Sequence, residues 1–117
     1  MSGDIMKVAV IGSRESGSAN LELIASNLPD ETDEIVSGGA PGIDALAQLV
    51  AKQLRLKFVC FLPDYAIYGK GAPMVRNQKI VAYSDLVLAF WNNRSSGTKF
   101  MIRQCLQENK PLKIINI

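Results

Sequence analysis

Residues 37–44 read SGGAPGID, and this stretch is the most informative about the fold because it joins a strand pattern to a helical one. The apolar pair Ile35 and Val36 precedes it, and the apolar spacing of an amphipathic helix begins at Ile43. Each glycine costs conformational entropy on folding, so a loop that holds three of them needs a physical reason for them. The stretch therefore predicts a strand, a loop that a ligand or another segment approaches closely, and a helix.

The same alternation of short apolar runs and helical patterns extends along the whole chain. Five strands are predicted, at residues 7–11, 34–37, 58–62, 85–91 and 112–117. Four helices are predicted between them: within residues 21–28, within residues 43–54, from Pro73 to about Tyr83, and around residues 102–106 with an end before Pro111. Repeated strand–helix units with right-handed crossovers predict an α/β fold, a Rossmann-like doubly wound parallel sheet of five strands in the order 3-2-1-4-5 with helices on both faces.

The composition is that of an ordinary globular protein. Of the 117 residues, 48% are hydrophobic and 21% are charged, so a single domain spanning residues 1–117 is expected. The formal net charge of +2 is small for a protein that coats nucleic acid, although it leaves room for a local basic groove. No apolar stretch approaches the ~20 residues of a membrane span and no leader pattern precedes the first strand, so we expect a cytoplasmic protein with no membrane partner.

The residue types that are rare or missing limit the chemistry. Histidine is absent, which removes the commonest general base and metal ligand, so catalysis would have to use carboxylates, arginine, lysine or tyrosine. The two cysteines, Cys60 and Cys105, lie in apolar stretches without the paired spacing of a zinc or redox motif, so buried, reduced thiols are expected. Neither a metal nor a cofactor is predicted.

Four loops in this pattern lead from the carboxyl end of a strand to the start of a helix. They contain residues 12–14, 37–44, 63–71 and 94–98, and each combines small residues with a helix start. Ligands of open parallel sheets bind at this edge, where unsatisfied backbone amides and the helix dipole favour anions. Neither G-x-G-x-x-G nor G-x-x-x-x-G-K-[ST] occurs, so a phosphate site of a different kind is predicted.

Two arginines are predicted to clamp the anion. Arg14 directly follows the first strand, and Arg76 lies in the first turn of the third predicted helix, where a cation opposes the helix dipole. Asp44, in the first turn of its own helix, is interpreted as a cap that rigidifies the glycine-rich loop. The predicted ligand-binding residues are Gly12, Ser13, Arg14, Ser37, Gly38, Gly39, Gly42, Asp44, Lys70, Arg76, Asn77, Trp91, Ser95, Ser96, Gly97 and Thr98.

Aromatic residues near strand ends offer a second kind of contact. Trp91, Tyr65 and Tyr68 lie at or beyond the ends of predicted strands rather than within helical stripes. They suit either stacking on a base or half-buried packing at the edge of the sheet, and the sequence leaves both interpretations open.

Three segments of the chain carry a resemblance to a known superfamily. The motifs SGGAPGIDALA and GKGAPMVRNQKI, and the pair AFW with SSGTKFMI, resemble the SLOG superfamily and within it the YspA-like group. The similarity extends from VIGSR to the last strand, and the first two motifs are the more specific. The resemblance implies a Rossmann-like fold and a site for a nucleotide or nucleotide derivative, in proteins that are usually homodimers.

Two branches of that superfamily imply different activities. The lonely-guy phosphoribohydrolases carry P-G-G-x-G-T-x-x-E; here Gly97 and Thr98 match the motif, whereas Met101 occupies the position of the catalytic glutamate. Arg76 matches the arginine of their M-x-x-R-K motif in outline. The segment VRNQKIVAYSDLVLAF is similar to the R-N-R-x-I segment of the Smf/DprA proteins, which load single-stranded DNA. The resemblance thus implies nucleotide recognition, and the missing glutamate disfavours hydrolysis.

Three functions are open at the level of the sequence. The favoured hypothesis is binding or sensing of a nucleotide-derived small molecule, with its phosphate held by the glycine-rich loops. The second is N-glycoside hydrolysis, with Glu15, Asp44 or Asp64 in place of the missing glutamate. The third is single-stranded DNA binding, which is not favoured because we expect no room in this chain for the accessory domains of the DNA-loading proteins.

Overall fold

The computed structural model describes residues 4–117, which fold around a parallel sheet of five strands. The strands are β1 (Met6–Gly12), β2 (Thr32–Ser37), β3 (Lys57–Cys60), β4 (Leu86–Trp91) and β5 (Leu112–Asn116). They lie in the order β3-β2-β1-β4-β5 and every neighbouring pair is parallel. The predicted fold class and strand order are therefore confirmed.

Five helices and a 3-10 turn connect the strands. They are α1 (Leu21–Asn27), α2 (Ile43–Gln53), α3 (Tyr65–Tyr68), the 3-10 turn (Gly69–Gly71), α4 (Ala72–Tyr83) and α5 (Ser96–Gln107). Helix α3 and the 3-10 turn occupy the segment predicted as a loop, because one helical turn is too short to show an apolar period. Among residues 4–117, every helix falls short of the length and hydrophobicity that crossing a membrane requires.

Alternate residues of the central strand contribute to two apolar layers. Val8 and Val10 of β1 belong to the layer under α1 and α2, whereas Ala9 and Ile11 belong to the layer under α4 and α5. This division follows from the strand geometry, in which successive side chains point to opposite faces. All four residues are buried. Because both faces of the sheet are covered, its strands appear in the sequence as continuous apolar runs.

The first two strand-to-helix loops pack against each other at the carboxyl edge of the sheet. The amide of Ser13 donates to the Phe90 carbonyl at 3.2 Å, and the amide of Ile43 donates to the Ser13 carbonyl at 3.2 Å. Gly42 has a φ of +80°, and a side chain there would collide with the Arg14 carbonyl. A glycine is therefore required at this position for α2 to begin against the end of β1.

Two sequence predictions are wrong at the β3 edge of the sheet. Strand β3 ends at Cys60 rather than at Leu62, whose side chain is 70% exposed. Cys60 is exposed as well because β3 is an edge strand, so the expected burial holds only for Cys105. Burial raises the pKa of the Cys105 thiol to about 11.

Candidate functional site

A crevice of about 520 Å³ opens at the carboxyl edge of the sheet, where β1, β2 and β4 end. It lies at the switch point between β1 and β4, the usual ligand position in such sheets. Three of the four predicted loops line it together with α4, and the loop at residues 63–71 does not. Eleven of the predicted ligand-binding residues line the crevice: Gly12, Ser13, Arg14, Gly38, Asp44, Arg76, Asn77, Ser95, Ser96, Gly97 and Thr98.

The glycine-rich loop between β2 and α2 is held by a carboxylate. Asp44 accepts hydrogen bonds from the backbone amides of Gly38 at 3.3 Å and Ala40 at 3.1 Å. These contacts agree with the interpretation of Asp44 as a cap that rigidifies the loop. They also occupy two amides of a loop that was predicted to hold phosphate, which leaves fewer backbone donors there for an anion.

The charge of Asp44 depends on its burial. The side chain is 7% exposed, and burial raises the pKa of its carboxyl above the ordinary value of 3.8. The loop hydrogen bonds and the nearby positive charge of Arg76 lower the pKa, but by less than burial raises it. The crevice therefore becomes more positive when the pH falls far enough to protonate Asp44.

Arg76 joins α4 to the glycine-rich loop and also lines the crevice. Its Nη1 donates to the Gly38 carbonyl at 2.5 Å and to the Phe61 carbonyl at 3.5 Å, while Nε donates to Asn77 Oδ1 at 2.8 Å. Because α4 begins at Ala72, Arg76 lies in its second turn, and the prediction of a first-turn cation is wrong. Nη2 has no hydrogen-bond partner within the described chain, so this end of the guanidinium remains free for an anion.

Side chains on both sides hold the start of α5 in place. Ser95 Oγ caps the helix by accepting from the Thr98 amide at 3.3 Å and from Thr98 Oγ1 at 3.0 Å. Trp91 Nε1 donates to the Ser95 carbonyl at 3.1 Å, and Asn92 Oδ1 accepts from the amides of Arg94 and Ser95, both at 2.9 Å. This loop is thus fixed without a ligand, and Trp91 supports it by hydrogen bonding.

The first amides of α5 are free backbone donors at the crevice. Helices cannot satisfy their own first amides, and the Ser95 cap reaches only Thr98. Among residues 4–117, the amides of Ser96 and Gly97 have no acceptor. A side chain built at Gly97 would meet nothing within 4 Å, so the approach to these amides is open. A helix start of this kind favours an anion.

Cations outnumber carboxylates around the crevice. Arg14, Arg76 and Arg94 line it, against Glu15 and Asp44. In the part of the chain that the structure describes, the one ion pair lies at the opposite edge of the sheet. None of the three arginines therefore has a carboxylate at ion-pair distance, and the crevice suits an anionic ligand.

Five predicted ligand-binding residues do not line the crevice: Ser37, Gly39, Gly42, Lys70 and Trp91. Ser37 is fully buried and its hydroxyl donates to a β1 carbonyl at 3.0 Å. Gly39 and Gly42 supply turn positions with positive φ, and Lys70 lies in the exposed 3-10 turn. All five residues were predicted from their position near the carboxyl edge of the sheet. That position does not distinguish a residue that supports a loop from one that contacts a ligand.

Other lining residues were not among the predicted ones. Asn92 and Arg94 follow β4 directly, and their place at the carboxyl end of a strand is the signal that could have identified them. Ile11, Ile80 and Met101 also line the crevice and give it an apolar side. They belong to the layer under α4 and α5, so their presence in the crevice could not be predicted without the fold.

The carboxylates considered for hydrolysis are not equally placed. Asp64 lies outside the crevice, where its Oδ1 caps α3 by accepting from the Ile67 amide at 3.2 Å. Glu15 and Asp44 line the crevice, and Met101 presents a thioether there. No group of three cysteine, aspartate or glutamate side chains within residues 4–117 could hold a metal ion.

Comparison with known proteins relates this fold to proteins that process DNA. A family model described as DNA recombination-mediator protein A matches residues 2–71. DNA processing protein A from Helicobacter pylori, whose structure is described as revealing a unique single-stranded DNA binding mode, is 25% identical with a TM-score of 0.72. DNA processing protein A from Streptococcus pneumoniae is 23% identical with a TM-score of 0.76. No curated protein sequence matches the chain.

The matches differ in how much of each chain they cover. The H. pylori match covers 93% of this chain and 64% of that one, and the S. pneumoniae match covers 94% and 50%. This chain therefore spans between half and two thirds of the length of those proteins. The family match includes Arg14 and the glycine-rich loop, whereas Arg76 and the start of α5 lie beyond it.

Proposed function

The chain belongs to the DNA recombination-mediator protein A family, and from this we propose that it binds single-stranded DNA in the crevice at the carboxyl edge of the sheet. The H. pylori structure, described as binding single-stranded DNA, supports the choice of ligand. The observation that carries the proposal is that Arg14, Arg76 and Arg94 line one crevice and that, within residues 4–117, none of them is paired with a carboxylate.

Phosphates of the strand supply the anions for these donors. Arg14 and Arg94 are exposed, so each can turn its guanidinium fork toward a phosphate. Arg76 offers Nη2, and the amides of Ser96 and Gly97 add uncharged donors at the start of α5. Such contacts position a backbone without reading its sequence.

The apolar side of the crevice suits an unpaired nucleotide. A volume of about 520 Å³ is in the range of small-molecule pockets, so it can admit a base or sugar that a single strand turns outward. Met101 and Ile11 would contact its apolar face, and the Asn77 and Asn92 amides could hydrogen-bond its edge. A duplex keeps its bases paired inside, so we expect preference for the single strand.

A nucleotide-derived small molecule is the second candidate ligand, and the size of the crevice supports it. It would use the same phosphate donors without the length of a strand.

A DNA-binding role also implies a cytoplasmic location, which agrees with two free thiols, Cys60 and Cys105. Homodimerisation and a phosphate-binding role for the glycine-rich loop stay predictions.

Arg14→Ala tests the proposal, because the side chain is exposed and its loss should leave the fold intact. We expect affinity for a fluorescent oligothymidylate, measured by anisotropy, to fall roughly tenfold, since a charge-assisted contact is lost. The slope of log K against log salt should become shallower by about 0.7, the value for one phosphate of a single strand. The matched control is Arg103→Ala, an exposed arginine of α5 outside the crevice, which should change neither quantity.

The competing ligand gives a different result in the same assay. If a nucleoside monophosphate displaced the oligonucleotide completely and the salt slope corresponded to one phosphate, the small-molecule candidate would replace DNA. If neither ligand bound, or if Arg103→Ala weakened binding as much as Arg14→Ala, the crevice would not be the site.

A further inference from the structure

Helix α3 and the 3-10 turn after it form a surface that the rest of the described chain does not cover. Helix α3 has no buried residue, and it packs mainly against the 3-10 turn and α4. The side chain of Tyr65 is 61% exposed and that of Tyr68 is 41% exposed. Packing therefore does not explain Tyr65 and explains Tyr68 only in part, so the stacking interpretation of the sequence analysis stays open for both rings.

Positive charge accompanies the exposed rings. Lys79 Nζ lies 5.4 Å from the centroid of the Tyr68 ring, and Lys70 is exposed in the 3-10 turn. Residues 61–83 contain three cations and one carboxylate, so this segment has as much net charge as the whole chain, +2. The carboxylate, Asp64, is occupied as the cap of α3. The surface thus combines aromatic faces with uncompensated cations.

Helix α4 connects this surface to the crevice. Pro73, Arg76 and Asn77 line the crevice, while Lys79 of the same helix lies against Tyr68. Tyr65 and Tyr68 are three residues apart in one helical turn, which places them on the same side of α3. A strand that leaves the crevice past the start of α4 would meet the two rings next.

We propose that Tyr65, Tyr68, Lys70 and Lys79, here called the tyrosine surface, bind further bases of the same single strand. The unpaired bases stack on the rings, and the lysines neutralise the adjoining phosphates. The inference rests on the proposed function, since the crevice anchors the strand. The exposed side chains of Leu62 and Ile67 could instead belong to a protein interface, but the cations beside the rings favour a polyanion.

Oligothymidylates of two lengths separate the two sites, because about three nucleotides fill only the crevice and about twelve also reach the tyrosine surface. The double substitution Tyr65→Ala with Tyr68→Ala should reduce affinity for the longer strand by roughly fivefold to a hundredfold and leave the shorter strand unaffected. The matched control, Tyr65→Phe with Tyr68→Phe, keeps the rings and should bind both lengths like the wild type. Thermal unfolding of each variant checks that the exposed α3 tolerates the changes.

Each other result overturns the inference in an identifiable way. If the double alanine variant binds both lengths like the wild type, the crevice alone binds the strand. If it loses both lengths equally, the rings do not form a separate site. If it loses a concentration-dependent dimer, measured by sedimentation, while DNA affinity is unchanged, the surface is a protein interface. If the wild type binds neither length, the proposed function itself fails and the tyrosine surface fails with it.

Discussion

The side chains of Arg76, from α4, and Asp44, from α2, both lie close to the backbone of Gly38. A Cβ at Gly38 would lie 2.6 Å from Arg76 Nη1 and 3.2 Å from Asp44 Oδ2. The glycine is therefore explained by side chains of the protein itself, whether or not a ligand approaches. Because Arg76 also supports this loop, Arg76→Ala would alter both fold and binding, and Arg14 is the better probe of the anion site.

Asp44 makes binding depend on pH. Its folded-state pKa is raised above 3.8 by burial, so the carboxyl protonates at a higher pH than an ordinary aspartate and removes a negative charge from the crevice. We predict that affinity for oligothymidylate rises as the pH falls from 7 toward about 4, and that Asp44→Asn binds at pH 7 as tightly as the wild type at low pH. The amide oxygen of asparagine can still accept from Gly38 and Ala40. Fluorescence anisotropy over a pH series measures the affinity of the wild type and of Asp44→Asn.

The same raised pKa has a defined effect on stability. Folding favours the protonated carboxyl, so the contribution of Asp44 to the free energy of unfolding is largest below pH 3.8 and falls as the pH rises through the raised pKa. Asp44→Asn should lack this fall in urea denaturation. Glu15→Gln is the control for the exposed carboxylate of the crevice. If Glu15→Gln removed the pH dependence of binding and Asp44→Asn did not, the assignment of this dependence to Asp44 would be wrong.

At the level of elements, the start of α5 carries the free amides, and its cap can be tested separately from them. Ser95→Ala removes the acceptor of the Thr98 amide and hydroxyl, so we predict a loss of about 1 kcal/mol in the free energy of unfolding. Binding should weaken as well, because the amides of Ser96 and Gly97 lose their fixed positions. Urea denaturation and anisotropy measure the two effects.

A second helix cap provides the control for that experiment. Asn20 Oδ1 caps α1 by accepting from the Leu23 amide at 2.8 Å, and neither residue lines the crevice. Asn20→Ala should therefore reduce stability by a similar amount while DNA affinity is retained. Equal losses of affinity in both variants would mean that general destabilisation, rather than the geometry of α5, controls binding.

For the molecule as a whole, we predict binding without hydrolysis of the N-glycosidic bond. Cleavage passes through an oxocarbenium-like transition state that a carboxylate stabilises. In this crevice Met101, a thioether, stands where the phosphoribohydrolase motif has its glutamate. Incubation with nucleoside monophosphates should release no free base detectable by chromatography. Release at enzymatic rates that Glu15→Gln or Asp44→Asn abolished would instead identify a hydrolase.

The architecture could be predicted from the amino-acid pattern alone. A strand such as β1 is buried on both faces, so its residues form a continuous apolar run that is visible without a structure. Glycines and helix caps then mark where the strands end, and the crossover rule gives the order of the strands. The location of the site followed from the same topology, because all parallel strands end at one edge.

Which hydrogen-bond donors at that edge remain free depends on contacts between residues far apart in the chain. The Gly38 carbonyl accepts from Arg76, 38 residues further along the chain, and the Ser37 hydroxyl donates to Val10, 27 residues before it. Buried polar groups bond to whatever partner folding brings near, and that partner is not encoded in the local pattern. The loop that most resembled a phosphate site is for this reason held by Asp44 and Arg76, whereas amides at the start of α5 have no acceptor among the described residues.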